Sequence, residues 1–358
     1  MYILDRFIIK KFLSTFLFMI GAFVIISVVF DVSQNIDNIL KSKATTLEII
    51  FNYYLNFCIY FGNLLSAFII FLTVIWFTSK MAQRTEVIAM LSSGVSYNRF
   101  VRPYVLTSGA MVIISLLMGH FIVPFANKKK FEFEVKYLKE ELTIQDVNIH
   151  REIEPGLIAY FQRYSPANKG GSLFSLERWE EGKLRFKMVA SSANYIPDSA
   201  HWTIVNAQIR EYQDSSERVY FKARLDTILP IKPENFGLRD EIVQTMNWNE
   251  LNNFIEAQRR SGSSQVAKYE LERENRTASP FGIFILTMIG VSIASRKSRG
   301  GIGAHLALAV IIGFVFVFIS KITAVSAMNV GVPAVLAVWI PNILFGSLAL
   351  WLYSKAQK

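Results

Sequence analysis

Residues 79–96 read SKMAQRTEVIAMLSSGVS, a short polar interruption between the uncharged runs Ile49–Ser79 and Pro103–Asn127. It carries Lys80, Arg84 and one acid, Glu86. Read as a helix, it sets Glu86 on a face with Ala82 one turn before it, Ala89 one turn after it and Ser93 two turns after it. Small residues around a single charge let another protein surface approach closely. Gly94 then breaks the helix, and Tyr97 to Arg102 lead into the next apolar run. On which side of a bilayer this stretch lies decides the organisation of the whole chain.

Working outward, the runs without a charge are Phe12–Phe30, Ile49–Ser79, Pro103–Asn127, Thr277–Ser295, Gly300–Ser320 and Ile322–Ser354. Each supplies about 20 residues, enough to span hydrocarbon as a helix. Six spans are expected, three before residue 127 and three after 275. Phe12–Phe30 has no A-x-A-like site after it and reads as an uncleaved first span rather than a signal peptide.

The composition agrees. Of the 358 residues 52% are hydrophobic and 18% charged, against about 25% charged in soluble domains, and the mean hydropathy is +0.32. The net charge of +10 does not point to nucleic acid, because of where it lies. Residues 127–275 hold 22 basic and 23 acidic side chains, whereas the remainder holds 16 and 5. The excess belongs to the apolar part and reads as membrane topology. One set of span ends carries Arg6, Lys10, Lys11, Lys80, Arg84, Arg99, Arg102, Arg296, Lys297, Arg299, Lys355 and Lys358, opposed only by Asp5 and Glu86. That set is cytoplasmic by the positive-inside rule. Both termini and Ser79–Ser96 are therefore expected inside, and the large middle block outside.

The middle block reads as β. Val219, Phe221, Ala223 and Leu225 alternate with polar residues as in a half-buried strand, and Leu184, Phe186, Met188 and Ala190 do the same. Leu157–Tyr164, Leu173–Trp179 and His201–Tyr212 are further candidates, separated by turn signals such as Pro155-Gly156, Gly170-Gly171 and Glu181-Gly182. This spacing suggests a small sandwich or jellyroll-like domain, flanked by helices at Lys128–Leu142, Asn249–Arg260 and Val266–Asn275. The fold class expected is an α-helical membrane protein with six transmembrane helices (3+3) and an inserted all-β jellyroll-like domain. The divisions expected are 1–127, 128–275 and 276–358.

Catalytic chemistry is not in view. There is no G-x-x-x-x-G-K-[ST] loop, so the chain is not expected to hydrolyse ATP itself. The lone Cys58 offers no disulfide framework. His120, His150, His201 and His305 are scattered, a structural role being expected of each. Lysine placement says more. Lys321 ends an apolar run and either faces a wet interior or snorkels to the headgroups. Lys128, Lys129 and Lys130 follow the third span on the outer side, against the positive-inside bias. They either meet anionic lipid headgroups or form a solvated run offset by Glu132 and Glu134. Lys41 and Lys43 invite the headgroup proposal more weakly.

Along the chain stand Leu4-Asp5-Arg6-Phe7-Ile8, Ala82-Gln83-Arg84-Thr85-Glu86-Val87 with Gly94, Val123-Pro124, Pro280, Arg299-Gly300-Gly301, Gly313-Phe314, Gly331-Val332-Pro333 and Trp339-Ile340-Pro341. In these residues, their order and their spacing the chain resembles the LptF/LptG (YjgP/YjgQ) family of permeases of the lipopolysaccharide export machine. The 299–301 turn with Gly313-Phe314 and the 331–333 loop lean to the LptG-like rather than the LptF-like subunit.

The resemblance implies a non-enzymatic subunit of an ABC transporter in the inner membrane of a Gram-negative bacterium, with the β-domain periplasmic. Lipopolysaccharide is taken from the outer leaflet into a cavity shared with a second, LptF-like permease and passed to a periplasmic LptC/LptA-like bridge. ATP and Mg are bound by a separate, LptB-like ATPase dimer, and this chain needs no cofactor of its own. Arg84, Glu86 and Gly94 then belong to the ATPase-coupling helix, Glu86 pairing with a basic residue of the ATPase or, alternatively, with an intrahelical or headgroup partner. Lys128, Lys129, Lys130, Lys321 and Lys41 are the headgroup candidates, and Phe186 and Phe221 mark the acyl-chain path through the β-domain. The rival readings are a permease of another exporter, for lipoproteins or peptides, and a membrane-anchored sensor or scaffold with a ligand-binding β-domain. The 3+3 span count argues against the first, and the short cytoplasmic loops argue against the second.

Overall fold

In hydrocarbon a peptide group finds no water, so a spanning segment must satisfy its backbone internally. The computed structural model, which describes residues 3–42, 44–138, 146–165, 168–197, 200–213, 216–231, 240–260, 265–297 and 300–356, answers this with long helices. The first is α1 (Ile3–Lys41). A second helical rod runs from Thr46 to Gln83 through α2 (Thr46–Glu48), a π-helical turn at Ile49–Tyr54 and α3 (Leu55–Gln83). After the short α4 (Glu86–Ser92) comes a third rod. It comprises α5 (Tyr97–Leu117), a π turn at Met118–Ile122, α6 (Val123–Phe133) and a last π turn. Lys43, Arg299 and residues 139–142 of the helix expected after the third span lie outside the described residues.

After the middle block, α7 (Asp240–Thr245), α8 (Trp248–Arg260) and α9 (Val266–Ala278) lead to α10 (Phe281–Ala294), α11 (Gly301–Val330) and α12 (Ala334–Ala356). Among the described residues, five helices or rods are long and apolar enough to cross a membrane, and a sixth span is present if the bent pair α9–α10 counts as one. The 51° bend sits at Ser279-Pro280. Proline brings no N–H, so the α-helical ladder breaks there. The amide of Gly282 turns to Ser279 O instead of Ala278 O. The freed carbonyl of Ala278 accepts from Nδ2 of the buried Asn342 in α12 at 2.8 Å. Gly313 is also fixed by packing: a Cβ there would lie 2.5 Å from the Phe68 ring of α3.

Two compact units result, one of residues 1–138, 244–248 and 267–358, the other of 139–243 and 249–266. The second is built on six strands, β1 (Asp146–Glu154), β2 (Leu157–Ser165), β3 (Gly170–Glu180), β4 (Lys183–Ile196), β5 (His201–Gln213) and β6 (Ser216–Thr227). They form one antiparallel sheet in sequence order. The all-β expectation holds, and the connectivity is a meander of hairpins.

A crease bends this sheet. On β2 the buried apolar side includes Phe161 and then Tyr164, on β4 Ala190 and then Ala193, and on β5 Ile204 and then Ala207. Each pair is three apart, so two consecutive residues face away and strict alternation slips by one. The slips are in register across the sheet, since Phe161 pairs with Phe174, Phe174 with Ala190, Tyr164 with Gly171, Gly171 with Ala193 and Ala193 with Ile204. Leu173 and Asn206 lie on this line at φ +50 and +54.

The bend is large. Phe161 on β2 and Trp202 on β5 stand three strands apart, about 14 Å in a flat sheet, yet their rings are 6.1 Å apart. Trp202 donates to Ile231 O at 3.0 Å, fixing the segment after β6 on the same apolar side. The half-buried pattern expected of β6 is corrected: Val219 and Phe221 are 52% and 64% exposed, and only Leu225 packs on the core. Val219 and Phe221 pair with exposed Arg210 and Gln208 of β5, so the register turns them to the side away from the core. β1 was not among the expected strands.

Asn tolerates left-handed backbone and valine does not. Asn206→Val should therefore destabilise the sheet by about 1–2 kcal/mol, read as faster native-state hydrogen exchange at β4 and β5 amides of the full chain with α3 amides unchanged.

Candidate functional site

Between α3 and α5 the chain makes two breaks. At the first, Thr85 adopts φ +58, a strained left-handed conformation for a β-branched residue, and the α3 helix stops. At the second, Gly94 has φ +90, and Ser96 Oγ accepts from Arg99 N to cap α5. The single helix expected over 79–96 is thus two pieces, the last residues of α3 and the separate α4. Ala82 belongs to α3 and is buried in the core, so it does not share a face with Glu86. The surface that α4 presents is Ile88, 47% exposed, together with exposed Ala89, Ser92 and Ser93, and exposed Arg84 and Thr85 precede it. Only Val87 of α4 is fully buried.

Glu86 is the first residue of α4, where the helix dipole favours an anion. Its Oε2 lies 3.5 Å from Lys11 Nζ on α1, the two side chains being 30% and 27% exposed. A pair this accessible contributes roughly 0–1 kcal/mol. Glu86 therefore has a partner within the chain that it can exchange at little cost.

Behind α4 stands a stronger contact. Arg99 meets Asp5 through two bonds, of 2.5 and 3.0 Å, and Asp5 is only 3% exposed. Such a bidentate pair fixes direction as well as distance, so the start of α1 is tied to the start of α5. Tyr353 of α12 donates to Asn98 at 2.5 Å, and Arg296 hydrogen-bonds the carbonyl of Lys355. The only two acids at the basic set of span ends, Asp5 and Glu86, each pair with a basic residue of that set. That pairing was the signal in the sequence, and charge counting alone passed over it.

The candidate headgroup lysines stand in different settings. Lys128 and Lys129 are exposed, Lys129 lying 4.7 Å over the Phe125 ring. Lys130 turns inward to Glu134 at 3.6 Å and to the rings of Tyr60 and Phe57. Lys321 is exposed on α11 below Phe314 and Phe318, themselves 68% and 65% exposed. Lys41 is exposed in the last turn of α1.

Phe186 packs partly buried against the apolar side of the sheet. Phe221 pairs with Gln208, which pairs with Val189, and so faces the other side. No group of three metal-ligating side chains occurs among the described residues. His305 Nδ1 lies 2.8 Å from Ser79 Oγ within the core, and His120 bridges Leu116 O and Thr277, both structural contacts.

Removing Arg99 takes the bidentate partner from a buried carboxylate. Arg99→Met should lower stability by about 3 kcal/mol, and Asp5→Leu added to it should recover most of the loss, measured as thermal unfolding of the detergent-solubilised chain. Lys11→Gln should change it by no more than about 1 kcal/mol.

The family described as lipopolysaccharide export system permease LptF/LptG matches residues 6–355. The lipopolysaccharide export system permease protein LptG of Haemophilus influenzae (strain ATCC 51907 / DSM 11121 / KW20 / Rd) is 19% identical over 281 residues, 78% of each chain.

Proposed function

The chain belongs to the family of lipopolysaccharide export system permeases LptF/LptG, and we propose that it is the LptG-like half of the transmembrane part of that exporter. The observation that carries this reading is the family match from residue 6 to residue 355, to which the LptG relative lends the choice of subunit. As an inner-membrane permease it supplies a path and not the hydrolysis. The finer assignments are six spans with both termini cytoplasmic, a periplasmic sheet domain within residues 128–275, an LptF-like second permease, an LptB-like ATPase dimer holding ATP and Mg, and an LptC/LptA-like bridge.

Energy sets the mechanism. Each CH₂ drawn from hydrocarbon into water costs about 0.8 kcal/mol, so a lipid with several acyl chains does not leave a bilayer unaided and needs an apolar surface at every step. Exposed Leu17, Phe18, Ile25, Ile26 and Phe30 of α1 and Ile311, Phe314, Val315 and Phe318 of α11 offer one wall. Exposed Lys128, Lys129, Lys321 and Lys41 are the groups available to headgroup phosphates, and Lys130 is engaged elsewhere. The apolar side of the creased sheet, at Phe186, receives the chains next. Phe221 faces away from it and is left out of the path.

The ATPase grips the exposed face of α4, with Ile88 as the apolar anchor and Arg84 and Glu86 as the charges. Glu86 leaves Lys11 for a basic group of the motor at a net cost near zero, and Thr85 and Gly94 let α4 swing between α3 and α5.

Glu86→Ala should leave insertion and folding intact and reduce ATP-driven lipopolysaccharide release by about tenfold or more, the loss expected of a charged hydrogen bond at an interface. Wild-type release would return Glu86 to a local partner of Lys11. A photo-crosslinker at position 186 should capture lipopolysaccharide only with ATP present, and one at position 221 should not.

A further inference from the structure

Within the membrane-spanning unit, a polar recess of about 90 Å³ opens beside the bend at Ser279-Pro280. Spans do not ordinarily leave polar groups around empty space, since each group lacking a partner in a buried setting costs free energy. Asn127 lines this recess and is 4% exposed. Its Nδ2 donates to Gln244 O at 3.4 Å, which fixes the amide's orientation, and its Oδ1 is buried with no partner. Asn63, Asn275 and Ser279 add further polar groups to the wall. Glu272 and Arg276 bring one negative and one positive charge, 3.4 Å apart. Gly119 stands where a side chain would begin to fill the space.

We propose that this recess binds the headgroup of a zwitterionic phospholipid bearing a primary ammonium, a phosphoethanolamine, at the outer face of the membrane. Three observations select that chemistry. The unsatisfied Asn127 Oδ1 calls for an N–H or O–H donor. The adjacent carboxylate of Glu272 favours a cationic donor, and Arg276 beside it suits the phosphate at the other end of the same headgroup. A metal ion fits poorly, because the wall has one carboxylate and a guanidinium. An anionic lipid without a donor leaves Asn127 Oδ1 unanswered. A trimethylammonium headgroup has no N–H to give. The recess lies by α3, α6, α9 and α10, whereas the transport wall lies on α1 and α11. The site is therefore for a resident lipid that fills the helix break and not for the cargo.

The proposal rests on the topology given above, which puts Asn127 and Asn275 at the outer ends of their spans, and not on what is transported. The test uses the full chain with its co-purifying subunits in nanodiscs free of lipopolysaccharide, so that its outcome is independent of export. Native mass spectrometry after detergent release compares retention of phosphatidylethanolamine, phosphatidylcholine and phosphatidylglycerol. Phosphatidylethanolamine should be retained about tenfold or more over phosphatidylcholine, and Asn127→Leu or Glu272→Gln should each reduce that retention by a similar factor. Equal retention of the two lipids by the wild-type chain, preference for phosphatidylglycerol, or retention unchanged in both variants would overturn the proposal. The wild-type comparison decides it even if a variant fails to fold. Loss of lipopolysaccharide crosslinking at position 186 with this preference intact would count against the export reading alone.

Discussion

A peptide group in hydrocarbon must be bonded within the protein, and this constraint governs where the chain can bend. Each bend in the membrane unit has a stated remedy. At Ser279-Pro280 the freed Ala278 carbonyl is taken by Asn342 from another span. At Gly94–Ser96 the hydroxyl of Ser96 caps the next helix. The π turns at Ile49–Tyr54 and Met118–Ile122 are absorbed within continuous rods. The strained residue Thr85 sits at a span end, where the chain is accessible. The helix breaks that flank α4 and the α9–α10 bend are the two places to which the proposed motor contact and resident lipid are assigned.

The sheet unit obeys a different constraint. A single sheet exposes one whole apolar face unless something covers it. Here an in-register slip on successive strands folds the sheet along one line, so that Phe161 and Trp202 meet across three strands. The result is a curved apolar surface from a simple meander, with Phe186 at its margin. A surface of this kind suits a long acyl chain better than a flat face does, because it shields the chain from water on more than one side.

Much of this was legible in the sequence. The apolar runs gave the spans, because length without charge is the dominant signal in a membrane protein, and the run order with the motifs around Glu86 and Gly331-Val332-Pro333 pointed to the family. Two strands were legible as clean alternation, and three more as less regular stretches set off by turn signals. What was not legible depended on tertiary placement. The burial of Ala82, and hence the true face of α4, follows from the left-handed Thr85, which no pattern of small residues announces. The inward turn of Lys130 is set by Glu134 and by rings on another rod. The exposure of Phe221 follows from its register with Gln208 and Val189, which puts it on the side away from the core. The crease required pairing registers, which alternation within one strand does not contain.

The central claim is that the exposed face of α4 is the contact through which a separate ATP-hydrolysing subunit drives the permease. A photo-reactive amino acid at Ile88, activated in native membranes, tests it most directly, with the same group at exposed Ile25 of α1 as the reference. The account predicts an adduct with the ATP-hydrolysing subunit from position 88 and none from position 25. Adducts from position 88 with lipid or with this chain alone would contradict it.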